Sequence, residues 1–550
     1  MILPNKVNPP EQPQPRLYRL WLFCAVFLLF SSESLLQTTF PAVNEPHYLT
    51  KARAAADPDW CSRDFFLTST NAHYCFLQLI GPLAARFSFF SVSFAGRLLC
   101  LVILSCAWLR LGSALLLSPV SAVAGASFFV LLSQTGNFSG EWILGGFESK
   151  VPAWALGLFA VSGWITALRQ QRTKAVIVPA LCNGAAISFH PVVGAWFAIA
   201  VFFGALIALA LERQRRLRTH DDSFLPSHLI TMLATYTLFT TVAAMPGLIP
   251  ALGFLAGSDL PQQDLDRASF IQVFWRLSHH LDPRSLSLKN LLFAAVVTGL
   301  AVACSKRLTE TRCEQSVRFR LLMCIFAVSG LIAGLGFVAG WHKLPVSEMT
   351  NWQWKAKLLR FYPFRLFDGL LPIYLGVALA ALLQRRLPTV GRQQMRTMIA
   401  CFVVVPLCTA ALQKPASPAG FTPQQHQDWV SMCRWIRNET PDDALVLTPR
   451  ESLDFKWFAE RAEYVCYKDC PQDAAGILEW DRRLWFQHEW TLESSSDGRY
   501  DKEDLLELNR RTGCDFLLTR ILGPFSSQPI HTVGEWRLYR VPAVSTEAAL

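Results

Sequence analysis

The chain has 550 residues, 52% of them hydrophobic and 17% charged, with a formal net charge of +10. Mean hydropathy is +0.28, and apolar runs of about 18 residues or more recur along most of the length, which excludes an ordinary soluble protein and marks membrane spans. The basic excess does not point to nucleic acid, because Lys and Arg sit in short clusters between apolar runs: RQQRTK (169–174), ERQRRLR (212–218), SKRLTETR (305–312) and QRRLPTVGRQQMR (384–396).

At the N-terminus, Lys6, Arg16 and Arg19 precede the first apolar run. The run is long and SSESLLQTTF offers no small-x-small cleavage site, so it reads as an uncleaved first span. Spans are predicted near 17–37, 92–112, 113–133, 151–168, 174–190, 191–211, 228–252, 288–305, 320–341, 366–383 and 397–413, about eleven in all. With the N-terminus in the cytoplasm, strict alternation puts every basic cluster inside, provided that 71–87 is an interfacial or re-entrant helix. The long polar segments 38–91, 134–150, 253–287 and 342–365, and the tail after 414, then share the outer face. Long loops held by a rigid scaffold carry function.

The first loop, TTFPAVNEPHYLTKARAAADPDWCSRDFFL (38–67), is rich in ionisable groups. Glu45 precedes Pro46, which biases it towards a loop-like entry. A carboxylate at a membrane boundary suits general-base work when desolvation raises its pKa. Asp64 stands beside two Phe residues; an N-cap or an Arg63 partner is the ordinary alternative. His47 follows two residues after Glu45, and Asp57 and Asp59 flank Pro58 as turn residues.

Further along, GEWILGGFESKVPAW (140–154) places Glu148 and Lys150 at the mouth of a span, with a mutual salt bridge as the plain account. FHP (189–191) sets His190 in a tight turn. FWRLSHHLDPRS (274–285) gathers Arg276, His279, His280 and Arg284; adjacent histidines point apart, so they make a poor metal pair but could meet an anion. In KAKLLRFYPFRLFDGLLP (355–372), Arg360, Tyr362, Arg365 and Asp368 enter the membrane edge. Ionisable groups at that depth are functional hypotheses, and Arg forks suit phosphate. An Arg365–Asp368 bridge is the structural alternative.

The tail, roughly 421–550, reads as a small soluble α/β domain, so that 1–413 and 414–550 form two units. WVSMCRWIRNETPDD and EDLLELNRRTG are its helices; ALVLTP, CDFLLTR and EWRLYRV are its strands, with parallel pairing expected. It would roof the membrane site or help hold an acceptor. Cys466 and Cys470 could pair or bind metal, though two cysteines are a weak zinc signal.

The phrases NEPHYL, DPDWCSRDFFL, GGFESK, SFHP, RLSHHLDP and LRFYPFRLFD, with this topology, resemble a bacterial branch of the GT-C superfamily of membrane glycosyltransferases. The resemblance implies an α-helical polytopic fold with an extracytoplasmic C-terminal domain, in a bacterial cytoplasmic (inner) membrane. It implies that sugar passes from a polyprenyl-phosphate carrier to an acceptor, with membrane lipid and a lipid-linked donor as partners. Glu45 would be the base and Asp64 a second acid. Glu45 lacks the paired acids (D-x-D or D-E) of some members, so a divalent metal has no clear motif here. The alternatives are a transporter or flippase of lipid-linked sugars and a non-catalytic envelope scaffold. Broken helices such as MPGLIP (245–250) lack a counterpart in the first half, which speaks against a two-repeat transporter.

Overall fold

A computed structural model describes residues 16–219, 228–256, 259–311, 313–343, 345–386, 392–413 and 420–543. Lys6, Arg312, part of the 384–396 cluster and the side chains of 215–219 lie outside what it describes.

Each apolar run folds into a helix, because a chain in lipid must satisfy its backbone polar groups internally. Among the described residues, nine helices are long and apolar enough to cross a membrane: Leu17–Gln37, Phe89–Ala114, Lys150–Gln170, Pro191–Gln214, Leu229–Gly253, Leu288–Thr309, Glu314–Gly340, Arg365–Arg386 and Gln393–Leu412. Two shorter apolar helices, Pro119–Thr135 and Thr173–Phe189, occupy the other two predicted positions. This is a multi-pass membrane protein. The 71–87 stretch forms a 13-residue helix, Tyr74–Arg86, too short to span and packed against helix Glu45–Ala56. Close approach of that pair needs Gly81, where a Cβ would meet the Ala52 carbonyl oxygen at 2.5 Å.

The helix ends are unlike. At one, Arg169 and Arg318 both engage Glu314, while Arg318 and Arg385 donate to carbonyls left open at helix C-termini, Ala114 and Leu308. At the other, the long polar segments meet the tail.

The tail contains a five-stranded sheet: β1 Leu445–Leu447, β2 Ala462–Glu463, β3 Phe516–Thr519, β4 His531–Val533 and β5 Trp536–Arg540, in the order β2-β1-β3-β5-β4. The first three run parallel, and β3–β5 and β5–β4 are antiparallel, so the expected parallel pairing holds for only half of the sheet. Helices Pro423–Glu439 and Lys502–Thr512 fall where expected, each with a capping box; the second ends at Gly513 in the left-handed region. Helix Ala474–Ser494 was not expected. The tail does not keep its core to itself. Cys61, Phe66 and Leu67 of the first loop, with Ala268 and Ile271, pack into one apolar cluster with Leu445, Tyr464, Trp480 and Leu517.

Candidate functional site

Six polar segments converge at the loop-bearing end. The most densely bonded group among them is Glu45. Its carboxylate is fully buried and takes two parallel hydrogen bonds from Arg97, Nε to Oε1 and Nη2 to Oε2, each 2.7 Å. It also accepts from Ser93 Oγ at 2.6 Å and from the backbone N–H groups of Ala42 and Phe147 at 2.8 and 2.7 Å. Pro46 does not keep Glu45 out of a helix. Both sit in the first turn of Glu45–Ala56, where proline is tolerated. With five donors, this carboxylate has no lone pair to spare for an acceptor hydroxyl. Its donors join the first loop, the second long helix and the 136–149 loop.

Asp64 is tied in the same sense. It caps helix Phe65–Thr68 through the Leu67 N–H and accepts the Glu463 N–H, both at 2.9 Å. Beside it Lys456, 4% exposed, lies 2.7 Å from both Glu463 and Asp469 and 3.4 Å from Asp64. His47 joins this group and not the one around Arg365: its Nδ1 is 2.9 Å from Asp469. Burial raises the Asp64 pKa; for Asp469, Lys456 and His47 outweigh burial and hold the carboxyl well below its usual range. Glu463, Cys466 and Asp469 place ligand atoms within 4.8 Å of one another. A metal does not suit them, because the Lys456 ammonium already sits on both carboxylates and Thr448 and Ser452 donate to the other Glu463 oxygen. Cys466 and Cys470 are free thiols.

The remaining residues form a second, buried cluster. Arg365 is 2.9 Å from Glu141, an ion pair without hydrogen-bond alignment, donates to His190 Nε2 at 3.1 Å and lies 3.9 Å over the Tyr362 ring. Trp154 holds the other Glu141 oxygen at 2.6 Å. The predicted Arg365–Asp368 bridge does not form. Asp368 instead accepts from the backbone of Phe138, Ser139 and Glu141 and from Ser139 Oγ, at 2.9–3.1 Å, and so shapes the 136–149 loop. Glu148 meets Lys150 at 3.3 Å and accepts from Asn44 at 2.9 Å; Asn44 in turn accepts from Lys468 of the tail at 2.7 Å. Arg276 donates to the Lys468 carbonyl at 2.8 Å, and its buried Nε has no partner among the described residues.

Histidines line this cluster in neutral form. The His73 ring lies 4.7 Å from that of His190, tilted by 47°, and is flanked by Tyr48 and Ser149 at 3.3 and 3.2 Å. Burial, then nearby His47 and Arg365, push its pKa down to about 3; burial, then His73 and Arg365, push His190 well below its usual value. His280 is likewise lowered by burial and faces the Ser139 carbonyl oxygen at 2.5 Å. His279 is exposed, and Arg360 makes no ion pair among the described residues. Lys468 is lowered to about 8, by burial first and by Arg276 next. Two buried cations, Lys150 and Arg276, and two half-buried ones, Arg365 and Lys468, thus gather near Glu141 and Glu148.

Of the predicted residues, Glu148, Lys150, His190, Arg276, Tyr362 and Arg365 come together, with His280 at their edge. Glu45, His47, Asp64, His279, Arg360 and Asp368 do not join them. Tyr48, His73, Glu141 and Lys468 were missed. The signals were present but weak: Glu141 adjoins Trp142, and Lys468 sits in the charged turn YKDCP of the tail.

A family model described as a domain of unknown function (DUF6798) matches residues 427–486. The tail carries that match. It spans helix Pro423–Glu439 to the middle of Ala474–Ser494, and includes Lys456, Lys468 and Asp469. No curated protein matches. Among solved structures, the cryo-EM structure of arabinosyltransferase EmbB from Mycobacterium smegmatis is similar over 74% of this chain and 42% of that chain, at 13% identity and a TM-score of 0.30. This chain spans less than half of that protein's length, and so loose a likeness carries no argument about the reaction.

Proposed function

We propose that the protein is a GT-C-like membrane glycosyltransferase that takes a sugar from a polyprenyl-phosphate carrier at the outer face of a cytoplasmic membrane. One observation carries the reading: Lys150 and Arg276, both buried, and Arg365 and Lys468, both half-buried, come from four separate segments to one place, where among the described residues Glu148 pairs with Lys150 and Glu141 with Arg365. Burying cations without partners is costly, so an arrangement with a cationic surplus suits an incoming anion. A lipid phosphate supplies that anion with its tail among the helices.

In the transfer, the acceptor oxygen bonds to the sugar's anomeric carbon as the bond to the carrier oxygen breaks. The electron pair leaves with the phosphate, whose charge the four cations stabilise. The acceptor proton goes to a carboxylate. Glu148 is the better base, since among the described residues its Oε1 accepts no hydrogen bond and meets Lys150 at 3.3 Å, whereas Glu45 is saturated.

The test uses purified protein in nanodiscs with radiolabelled polyprenyl-phosphate pentoses and hexoses. Transfer to added glycan that falls about 100-fold or more in Glu148→Gln, with folding intact, supports the reading. Full activity in that variant removes Glu148 from the mechanism. Vesicle accumulation of labelled sugar without a new glycosidic bond would instead establish the transporter. The scaffold reading draws on the structural ties of Glu45 and Asp64; it gains if neither transfer nor accumulation occurs.

A further inference from the structure

Lys468 reaches the cation cluster from the tail, and the residue that follows it is pinned from two sides. Asp469 is 4% exposed, with each carboxylate oxygen engaged: Oδ1 lies 2.9 Å from His47 Nδ1, and Oδ2 lies 2.7 Å from Lys456 Nζ. Lys456 is itself fixed. Glu463 of the tail at 2.7 Å and Asp64 of the first loop at 3.4 Å meet the same ammonium. Buried charges so arranged cannot shift far without leaving one of them unpaired, which is costly.

Lys468 and Asp469 together grip one turn of helix Glu45–Ala56. His47 belongs to its first turn, and Asn44 is the cap three residues earlier, a spacing that shares a helix face. Lys468 Nζ donates to Asn44 Oδ1 at 2.7 Å, while Arg276 Nη2 donates to the Lys468 carbonyl at 2.8 Å. Because the Asn44 oxygen takes the ammonium, its amide nitrogen faces Glu148 and donates to Oε2 at 2.9 Å. A line of contacts thus joins Lys456 and Asp469, through Lys468 and Asn44, to Glu148. The lysine side chain does not set this geometry by itself, since its stem is flexible and its ammonium is a point charge. The backbone that carries it has to be placed.

We propose that Asp469 is a positioning residue: pinned by Lys456 and His47, it holds Lys468 against Asn44 and keeps the tail's cation in place for the lipid phosphate. The role rests on the transferase reading of the cation cluster. It gives the tail a direct part in the membrane site, and it gives the buried charges around Lys456 a task beyond joining two segments.

The experiment uses the full-length protein in nanodiscs, well below every variant's thermal midpoint, and has two readouts. The first is acetylation of the Lys468 amine, followed by peptide mass spectrometry, which needs no activity. Its rate should rise about tenfold in Asp469→Asn as the side chain is released. An unchanged rate overturns the proposal. The second is the affinity for a short-chain polyprenyl phosphate in the parent, Asp469→Asn, Lys468→Met and the double variant. Asp469→Asn should weaken binding about tenfold in the parent, but less than about twofold once Lys468 is replaced, because contacts in series are not additive. Loss of fold would instead lower the number of binding sites in both backgrounds and leave their affinity alone. Should Asp469→Asn fold poorly, His47→Gln frees the other carboxylate oxygen, leaves Lys456 on its three carboxylates and should give the same pattern in both readouts. Independent, additive effects on binding overturn this role and leave the transferase reading standing. Failure of the parent to bind any polyprenyl phosphate removes that reading, and this role with it.

Discussion

Arg97 and Glu45 form a fork-to-fork ion pair with neither side chain exposed to solvent, across 52 residues of chain. Arg97 also donates to the carbonyls of Ser34 and Thr39, at 2.7 and 2.6 Å, and stacks 3.5 Å over the Phe40 ring. A guanidinium inside an apolar helix is thereby satisfied by the segment that leaves the first span. Breaking one side of such a pair leaves an uncompensated buried charge, at about 3–5 kcal/mol. Glu45→Ala and Arg97→Ala should each lower the thermal midpoint in detergent sharply. The double variant Glu45→Leu/Arg97→Met should recover much of the loss. If the single variants are as stable as the parent, the pair is no tie.

Lys51 sets a pH dependence at the junction of loop and tail. Its ammonium donates to the carbonyls of Phe66 and Ser69, and burial, despite Asp64 and Asp469, lowers its pKa to about 7. An unfolded lysine titrates near 10.4. Between about pH 7 and 10 the unfolded chain therefore binds the extra proton, and stability rises with pH, by at most about 1.4 kcal/mol per unit. Below pH 7 both states are protonated and the penalty is complete. Lys51→Met should flatten the slope of midpoint against pH over that window. An unchanged slope would assign it to Lys468, lowered in the same direction.

Arg365 touches Glu141, His190 and Tyr362 at once, which a planar fork can do and a single ammonium cannot. Arg365→Lys keeps the charge yet should weaken binding of a polyprenyl-phosphate donor about tenfold, with little change in the thermal midpoint. Equal affinity in the variant would mean that charge alone, not geometry, recruits the ligand.

Gly140 has φ +75°, and a Cβ there would lie 2.3 Å from the His280 ring. Gly140→Ala should cost about 1–3 kcal/mol in backbone strain, besides displacing His280 from Ser139. Because the same loop supplies the donors to Asp368 and carries Glu141, activity should fall further than stability. Retention of both would show that the loop adapts.

Much of the membrane architecture was readable in the chain, because hydropathy over a helix length is a local property. All eleven apolar runs are helical, and β1, β3 and β5 lie within the predicted strands, since their burial follows from short apolar segments. Helix Ala474–Ser494 escaped because its charged residues, such as Asp481, Arg482 and Arg483, interrupt the apolar pattern that only its packing against the first-loop and 262–270 segments completes. The site divides on the same ground. Composition placed acids and cations in the loops, but the choice of partner for each is a long-range event. Glu45 found Arg97 inside the second long helix. Asp64 and His47 found Lys456 and Asp469 some 400 residues away, and Lys468 crossed from the tail to Asn44. A carboxylate's role depends on how many donors surround it and how much water remains. Those quantities arise only when separate segments are brought together.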